Sequence, residues 1–157
     1  MKIVGKVRIL GTPLVAPLTE RPCAFFDAVA ENYAGVVIAR ETFGHDFLVE
    51  DDTGLALVRV KSAQVVVKLD ACYESDTTQA TSRQWALLTR HIRPQRGRVR
   101  YREGTLTPGE IVAVVGTPYL EAHPNPDPRT SGQFREMAMR LVFDSDDRDT
   151  VQITDDL

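Results

Sequence analysis

From Lys2 to Leu10, apolar and charged residues alternate, with Ile3, Val7 and Ile9 on one face and Lys2, Lys6 and Arg8 on the other. A period of two predicts a half-buried strand, because successive side chains leave a strand on opposite sides. Gly11, Pro13 and Pro17 break the pattern. Cys23 to Glu31 reads as a second extended run, although its alanines also permit a helix. Val36–Ala39, Phe47–Glu50, Leu55–Val60 and Val65–Val67 predict further short strands. Phe47–Glu50 and Leu55–Val60 flank Asp51–Gly54, a hairpin turn in which Gly54 takes a positive φ without a Cβ clash.

Gln79 to His91 is the helix the sequence predicts. Trp85, Leu87 and Leu88 supply its apolar bulk, Thr81 or Ser82 caps its start, and Pro94 ends it. An extended arm from Val99 to Glu103 then runs into a turn at Pro108 and Gly109. The apolar strand Ile111–Val115 follows, and Gly116 closes it. Together these predict a β-hairpin. The segment carries no nucleophile, catalytic pair or metal cluster, so it points to architecture rather than to an enzyme. Pro124, Pro126 and Pro128, with Asn125, Ser131 and Gly132, predict a loop over residues 122–133. Phe134 to Phe143 resumes as a strand, with Met137, Met139, Leu141 and Phe143 alternating, and Val151–Ile153 is the last. No repeat or internal boundary interrupts residues 1–157, so a single domain is expected. Many short strands and one helix make it mainly β, with an OB-like β-barrel as the expected architecture and a β-sandwich as the alternative.

Several pieces of the chain, in order, resemble a known family. They are Gly5–Val7, Pro17–Cys23, Phe47–Gly54, Leu57–Val60, Arg100–Gly109 and Val112–Gly116. Together they are similar to the GIDE-type, or beside-a-membrane, domain of MULAN-like membrane E3 ubiquitin ligases and their bacterial relatives. The resemblance implies a β-rich binding or sensing domain. The family's ligases end in a zinc-binding RING, which needs closely spaced Cys and His ligands. Two cysteines and three histidines scattered along this chain do not supply them, so ligase activity is not carried over.

Bulk properties narrow the field further. At 157 residues, with 43% hydrophobic and 26% charged residues, the composition is that of a soluble globular domain able to bury its own core. A net charge of −3 gives no global bias toward nucleic acid or anionic membrane, but the charge is uneven. Arg90, Arg93, Arg96, Arg98, Arg100 and Arg102 fall in one stretch, and Asp144, Asp146, Asp147, Asp149, Asp155 and Asp156 crowd the end. Cys23 and Cys72 lie far apart, as unpaired thiols of a reduced, cytoplasmic protein do. The first residues lack the apolar core of a signal peptide, and no stretch approaches the ~20 apolar residues of a membrane span, so direct membrane insertion is not expected.

The candidate chemistry is sparse. His45, His91 and His123 are too widely separated for local metal spacing and read as solvated or structural side chains. Cys23 reads as a small buried apolar group, with a nucleophilic role beside His45 or His123 as the sharper alternative. Asp144–Asp149 has some look of a calcium loop. The sixth position, which wants Gly, is Asp149, and the twelfth, which wants Glu, is Asp155, so an acidic turn is the better reading. Glu50, Asp51 and Asp52 likewise read as a solvated turn rather than as acid–base catalysts. No metal or cofactor is expected.

The arginine stripe is the chief binding candidate. Arg98, Arg100 and Arg102 share one strand face, with Val99, Tyr101 and Glu103 on the other. Guanidinium pairs suit phosphate and carboxylate. The bland reading is a solvated face balanced by the acidic C-terminus. Tyr101, the nearest aromatic in sequence, is aimed inward, whereas nucleic-acid binders add exposed stacking groups. The sequence therefore favours a non-catalytic module that binds a protein. The alternatives are an OB-like nucleic-acid binder using the arginines and a Cys23-dependent hydrolase. An exposed aromatic beside the arginines discriminates the first alternative, and a Cys–His contact in a pocket the second.

Overall fold

A computed structural model describes residues 1–122 and 139–157. The chain is mainly β, with one α-helix among the described residues. In chain order the elements are β1 (Lys2–Ile9), β2 (Leu14–Val15), β3 (Pro22–Cys23), β4 (Phe25–Asn32), β5 (Val37–Gly44), β6 (Phe47–Asp51), β7 (Gly54–Val58), β8 (Gln64–Val66) and β9 (Ala71–Asp76). Then come α1 (Ser82–His91), β10 (Arg98–Leu106), β11 (Ile111–Val115), β12 (Tyr119–Ala122), β13 (Met139–Phe143) and β14 (Gln152–Thr154).

Eight strands form one sheet in the order β12-β13-β7-β6-β1-β11-β14-β8. The alternation in β1 does what its pattern predicts. Val7 is buried with Phe47 and Val49 of β6, Val112 and Val114 of β11, and Ile153 of β14, while Lys2, Lys6 and Arg8 stay in solvent. Fully burying each such apolar side chain contributes about 1.5–3 kcal/mol, which makes this cluster the main source of stability. The β6–β7 hairpin has its turn at Asp51–Gly54, as expected. Asp51 Oδ1 accepts hydrogen bonds from the backbone N–H groups of Thr53 (2.7 Å) and Gly54 (3.2 Å), and Gly54 has φ +144°. The end strands β12 and β8 do not pair with each other, so the expected OB-like barrel is not closed. With β13 added beside β7, and β14 and β8 beyond β11, the strand order leaves β8 and β12 at opposite ends of an open sheet.

A second sheet of four antiparallel strands runs β5-β4-β10-β9. Ala28, Ala30, Ala39, Val99 and Tyr101 on one of its faces pack against Leu87 and Leu88 of α1. The alanines that left β4 ambiguous in sequence give the helix a close approach to the sheet. The helix starts at Ser82 rather than Gln79, because Thr77–Gln79 forms a separate 3-10 turn capped by Asp76. Thr81 is the N-cap and completes a capping box with Gln84. Trp85, expected to supply apolar bulk, is 46% exposed.

The hairpin expected between the Val99–Glu103 arm and Ile111–Val115 is not formed. β10 pairs with β4 and β9, whereas β11 pairs with β1 and β14 in the other sheet. Two features force the switch. A Cβ on Gly104 would lie 2.4 Å from the Lys68 carbonyl oxygen, so another backbone crosses β10 there. Beyond it, Leu106 is buried in the core of the large sheet. Thr107–Glu110 then turns the chain, with Glu110 N–H donating to the Thr107 carbonyl (3.1 Å) and Gly109 at φ +85°, as a type II turn requires. This turn is held by β1: Gly109 N–H donates to the Val7 carbonyl, and Val7 N–H to that of Glu110, both at 2.8 Å.

β9 and β12 were not predicted. Residue 122 ends β12, and the remainder of the expected 122–133 loop, with the first half of the expected Phe134–Phe143 strand, lies outside the described residues. No helix among the described residues is long and apolar enough to cross a membrane.

Candidate functional site

β10 carries Arg98, Arg100 and Arg102 on the face of the small sheet opposite α1, as the alternation predicts. Register supplies their counter-charges. Arg98 stands opposite Asp76, and Arg100 between Glu31 of β4 and Glu74 of β9. Arg98 Nε donates to Glu74 at 2.6 Å, and Arg102 pairs with the nearly buried Glu31. Further along the same face, Arg40 makes two hydrogen bonds to Asp27, at 3.0 and 2.7 Å. The Arg98 guanidinium holds the Glu74 carboxyl below its ordinary range. Neutralisation thus comes from β4 and β9, not from the acidic C-terminus, where Asp155 accepts from Lys68 N–H and Asp156 pairs with its ammonium. Arg100 makes no ion pair among the described residues.

At the end of this sheet the picture changes. The tip between β4 and β5 is organised by Asn32, whose Oδ1 accepts from Ala34 and Val36 N–H, both at 3.0 Å, while Gly35 has φ +79°. That turn displays Tyr33 at 89% exposure. Facing it, the chain after α1 carries Arg93 and Arg96. This loop is pinned by Thr77, whose N–H donates to the Gly97 carbonyl (2.9 Å) and whose hydroxyl accepts from Gly97 N–H (3.3 Å). Between tip and loop lies a recess of about 330 Å³ with buried Leu88 and Val99 in its lining. Tyr33, Arg93, Arg96 and Arg98 line it as well, and among the described residues no carboxylate does. Arg93 and Arg96 make no ion pair among the described residues. A smaller recess of about 210 Å³ adjoins it and shares Asn32, Tyr33 and Arg98, adding Glu31, Glu74 and Arg100.

Sequence reasoning missed Tyr33. Tyr101, the aromatic it considered, is fully buried as expected. The β4–β10 register, which pairs Val99 with Asn32, is what brings Tyr33 to the arginines. The one local signal was the polar turn Asn32-Tyr-Ala-Gly35 after an apolar run.

The remaining candidates are occupied structurally. Cys23 is buried beside Ala16 and Phe26, and burial, followed by the nearby Glu103 charge, pushes its thiol up to about 11. Glu103 is itself fully buried. It accepts from Leu18 N–H (2.7 Å), Thr19 N–H (3.0 Å) and the Thr19 hydroxyl, so it organises the turn after β2. His91 contacts Glu41 at 2.8 Å alongside Arg90, and His45 stacks edge-on with Phe43 in an open groove of about 830 Å³. His123 lies outside the described residues. Glu50 pairs with Arg8 (2.7 Å). Asp146 Oδ1 accepts from Arg148 and Asp149 N–H, both at 2.8 Å, and Asp149 accepts from Thr117 N–H (2.6 Å), so this acidic run is a self-bonded turn. Among the described residues no cluster of His, Cys, Asp and Glu is arranged to hold a metal. Comparison with protein-family models, curated proteins and solved structures finds no match to this chain.

Proposed function

We propose that this chain is a non-catalytic binding module that takes an anionic partner at the arginine-bearing end of its small sheet. One observation carries the reading: among the described residues, the recess beside Tyr33 is lined by three guanidiniums and no carboxylate, in a chain whose net charge is −3. Guanidiniums gathered over a low-dielectric apolar base attract anions by both field and paired hydrogen bonds. Two of the three make no ion pair among the described residues, so binding does not have to break one. The buried, high-pKa thiol of Cys23 supports the non-catalytic part, because the nucleophile is the thiolate. We also propose a relationship to the GIDE-type domain, which implies a binding or sensing module. The test is a titration with inorganic tripolyphosphate followed by backbone amide chemical shifts. Shifts confined to Tyr33 and the Arg93–Arg98 segment are expected. Their absence, or shifts centred on the groove at His45, would refute the placement.

A further inference from the structure

We propose that the recess beside Tyr33 holds one nucleotide of a single-stranded nucleic acid, with the base against the Tyr33 ring and the phosphate on Arg93 and Arg96. The inference rests on the anion-binding reading above and adds the chemistry of the ligand. Its starting point is the exposure of Tyr33, 89%, on a tip that Asn32 holds in one conformation. The ring is not a core residue, and the turn does not need an aromatic, since Asn32 and Gly35 make it. A simple anion, whether polyphosphate or an acidic peptide, has no use for such a ring. A base does: stacking on an exposed aromatic is how single strands are held without sequence preference.

The apolar lining from Leu88 and Val99 continues that platform into the recess. At about 330 Å³ the recess is at the small end of ligand sites and suits one flat group with its phosphate. A base inside a duplex is stacked on both faces and paired along one edge, and cannot enter. The second recess, of about 210 Å³, shares Tyr33 and Arg98 with the first, so a ligand path continues past the aromatic to Arg100. A path of two recesses favours a strand over a free mononucleotide. Two features oppose the proposal, and their sizes decide against them. The C-terminus of α1 presents roughly half a negative charge near the first recess, against the guanidiniums of Arg93 and Arg96, the two in its lining that make no ion pair among the described residues. Glu31 and Glu74 face the second recess but are already paired with Arg102 and Arg98, which leaves the Arg100 charge without an ion pair among the described residues.

The experiment is fluorescence anisotropy with a fluorescein-labelled oligothymidylate at two salt concentrations. The proteins are wild type, Tyr33→Ala, Tyr33→Phe and the double variant Arg93→Ala with Arg96→Ala. These side chains are solvent-exposed, so the fold is retained, and melting curves confirm it. Tyr33→Ala is expected to weaken binding roughly five- to 150-fold, the range one stacked base contributes, and Tyr33→Phe to leave it near wild type. The double arginine variant removes the one phosphate contact and is expected to flatten the log–log salt dependence by about 0.7, the value for one single-strand phosphate. The proposal is overturned by no binding at physiological salt, by equal affinity for a duplex, or by an abasic strand binding as tightly as oligothymidylate. It is also overturned if mononucleotide competes as well as the strand does. Oligothymidylate binding that Tyr33→Ala leaves unchanged, beside tripolyphosphate binding that depends on Arg93 and Arg96, refutes the nucleotide while leaving the anion-binding reading intact.

Discussion

Glu103→Ala tests whether a buried carboxylate organises the turn that follows β2. In the native protein the side chain is fully buried and accepts from Leu18 N–H, Thr19 N–H and the Thr19 hydroxyl. Alanine leaves all three donors without their acceptor. Each fully buried orphan costs about 1–3 kcal/mol. Leu18 and Thr19 are only half-buried, so water reaches part of the turn and the low end applies. The sum is about 3 kcal/mol, a large share of the ~5–15 kcal/mol that holds an ordinary domain together. It corresponds to a Tm lower by about 6–12 °C. Glu103→Gln keeps one acceptor oxygen and sets an amide N–H against a donor, so about half the loss is expected. Urea unfolding of the three proteins measures these differences as shifts in midpoint at constant slope. A second readout is independent of stability. In a Cys72→Ser background, thiolate absorbance reports Cys23, and removing the Glu103 charge moves its onset to lower pH. Burial, the larger cause of the raised thiol, keeps it above the ordinary 9.0. An alanine variant within ~0.5 kcal/mol of wild type would refute the hydrogen-bond assignment. A thiol unmoved in the glutamine variant would refute the electrostatic one.

Tyr101 is fully buried and its hydroxyl has no hydrogen-bond partner among the described residues, so Tyr101→Phe is expected to stabilise by about 1 kcal/mol in urea unfolding, and a loss of stability would show a hidden partner. Gly54→Val and Gly109→Val place a β-branched residue at φ +144° and +85°, and each is expected to cost about 1–3 kcal/mol, with unchanged melting temperatures disproving the strain argument. The raised thiol of Cys23 makes stability pH-dependent in the alkaline range. The unfolded thiol ionises first, so stability is full below about 9 and falls as pH rises toward about 11. Cys23→Ala is expected to remove that component of the slope, measured as Tm against pH, and an unaltered slope would place its origin elsewhere.

How much of this was legible in the chain depended on whether a residue's partners are local. β1 was legible because one of its faces meets the core and the other water, which writes a period of two into Lys2–Ile9. The Asp51–Gly54 turn was legible because its bonds close within a few residues. The sheet that each strand joins was not legible. Nothing in Pro108-Gly109 says that the turn hands the chain from β10's sheet to β11's, since the contacts that decide it are to Val7 and Lys68. β9 was missed because it is an edge strand, with Cys72, Tyr73 and Glu74 exposed and no apolar stripe. Arg98 and Arg100 were found because β10 alternates, whereas Arg93 and Arg96 lie in the loop before β10, outside the stripe that alternation marks. Tyr33 was missed because only the β4–β10 register makes it their neighbour.

The place of β1 in the large sheet has a kinetic consequence. β1 lies between β6 and β11, and its register with β11 joins Lys2 to Val115. The hairpins β4–β5 and β6–β7 close over a few residues each, on the microsecond scale of local pairing. The β1–β11 ladder must wait until more than a hundred residues of intervening chain have been brought round, and that loop entropy is spent before any of its contacts form. Refolding dominated by such distant pairings belongs in the millisecond-to-second range. During synthesis β1 leaves the ribosome long before β11 exists, so even after β6 has paired with Lys6–Ile9 the Lys2–Lys6 edge that β11 takes spends that interval open and aggregation-exposed.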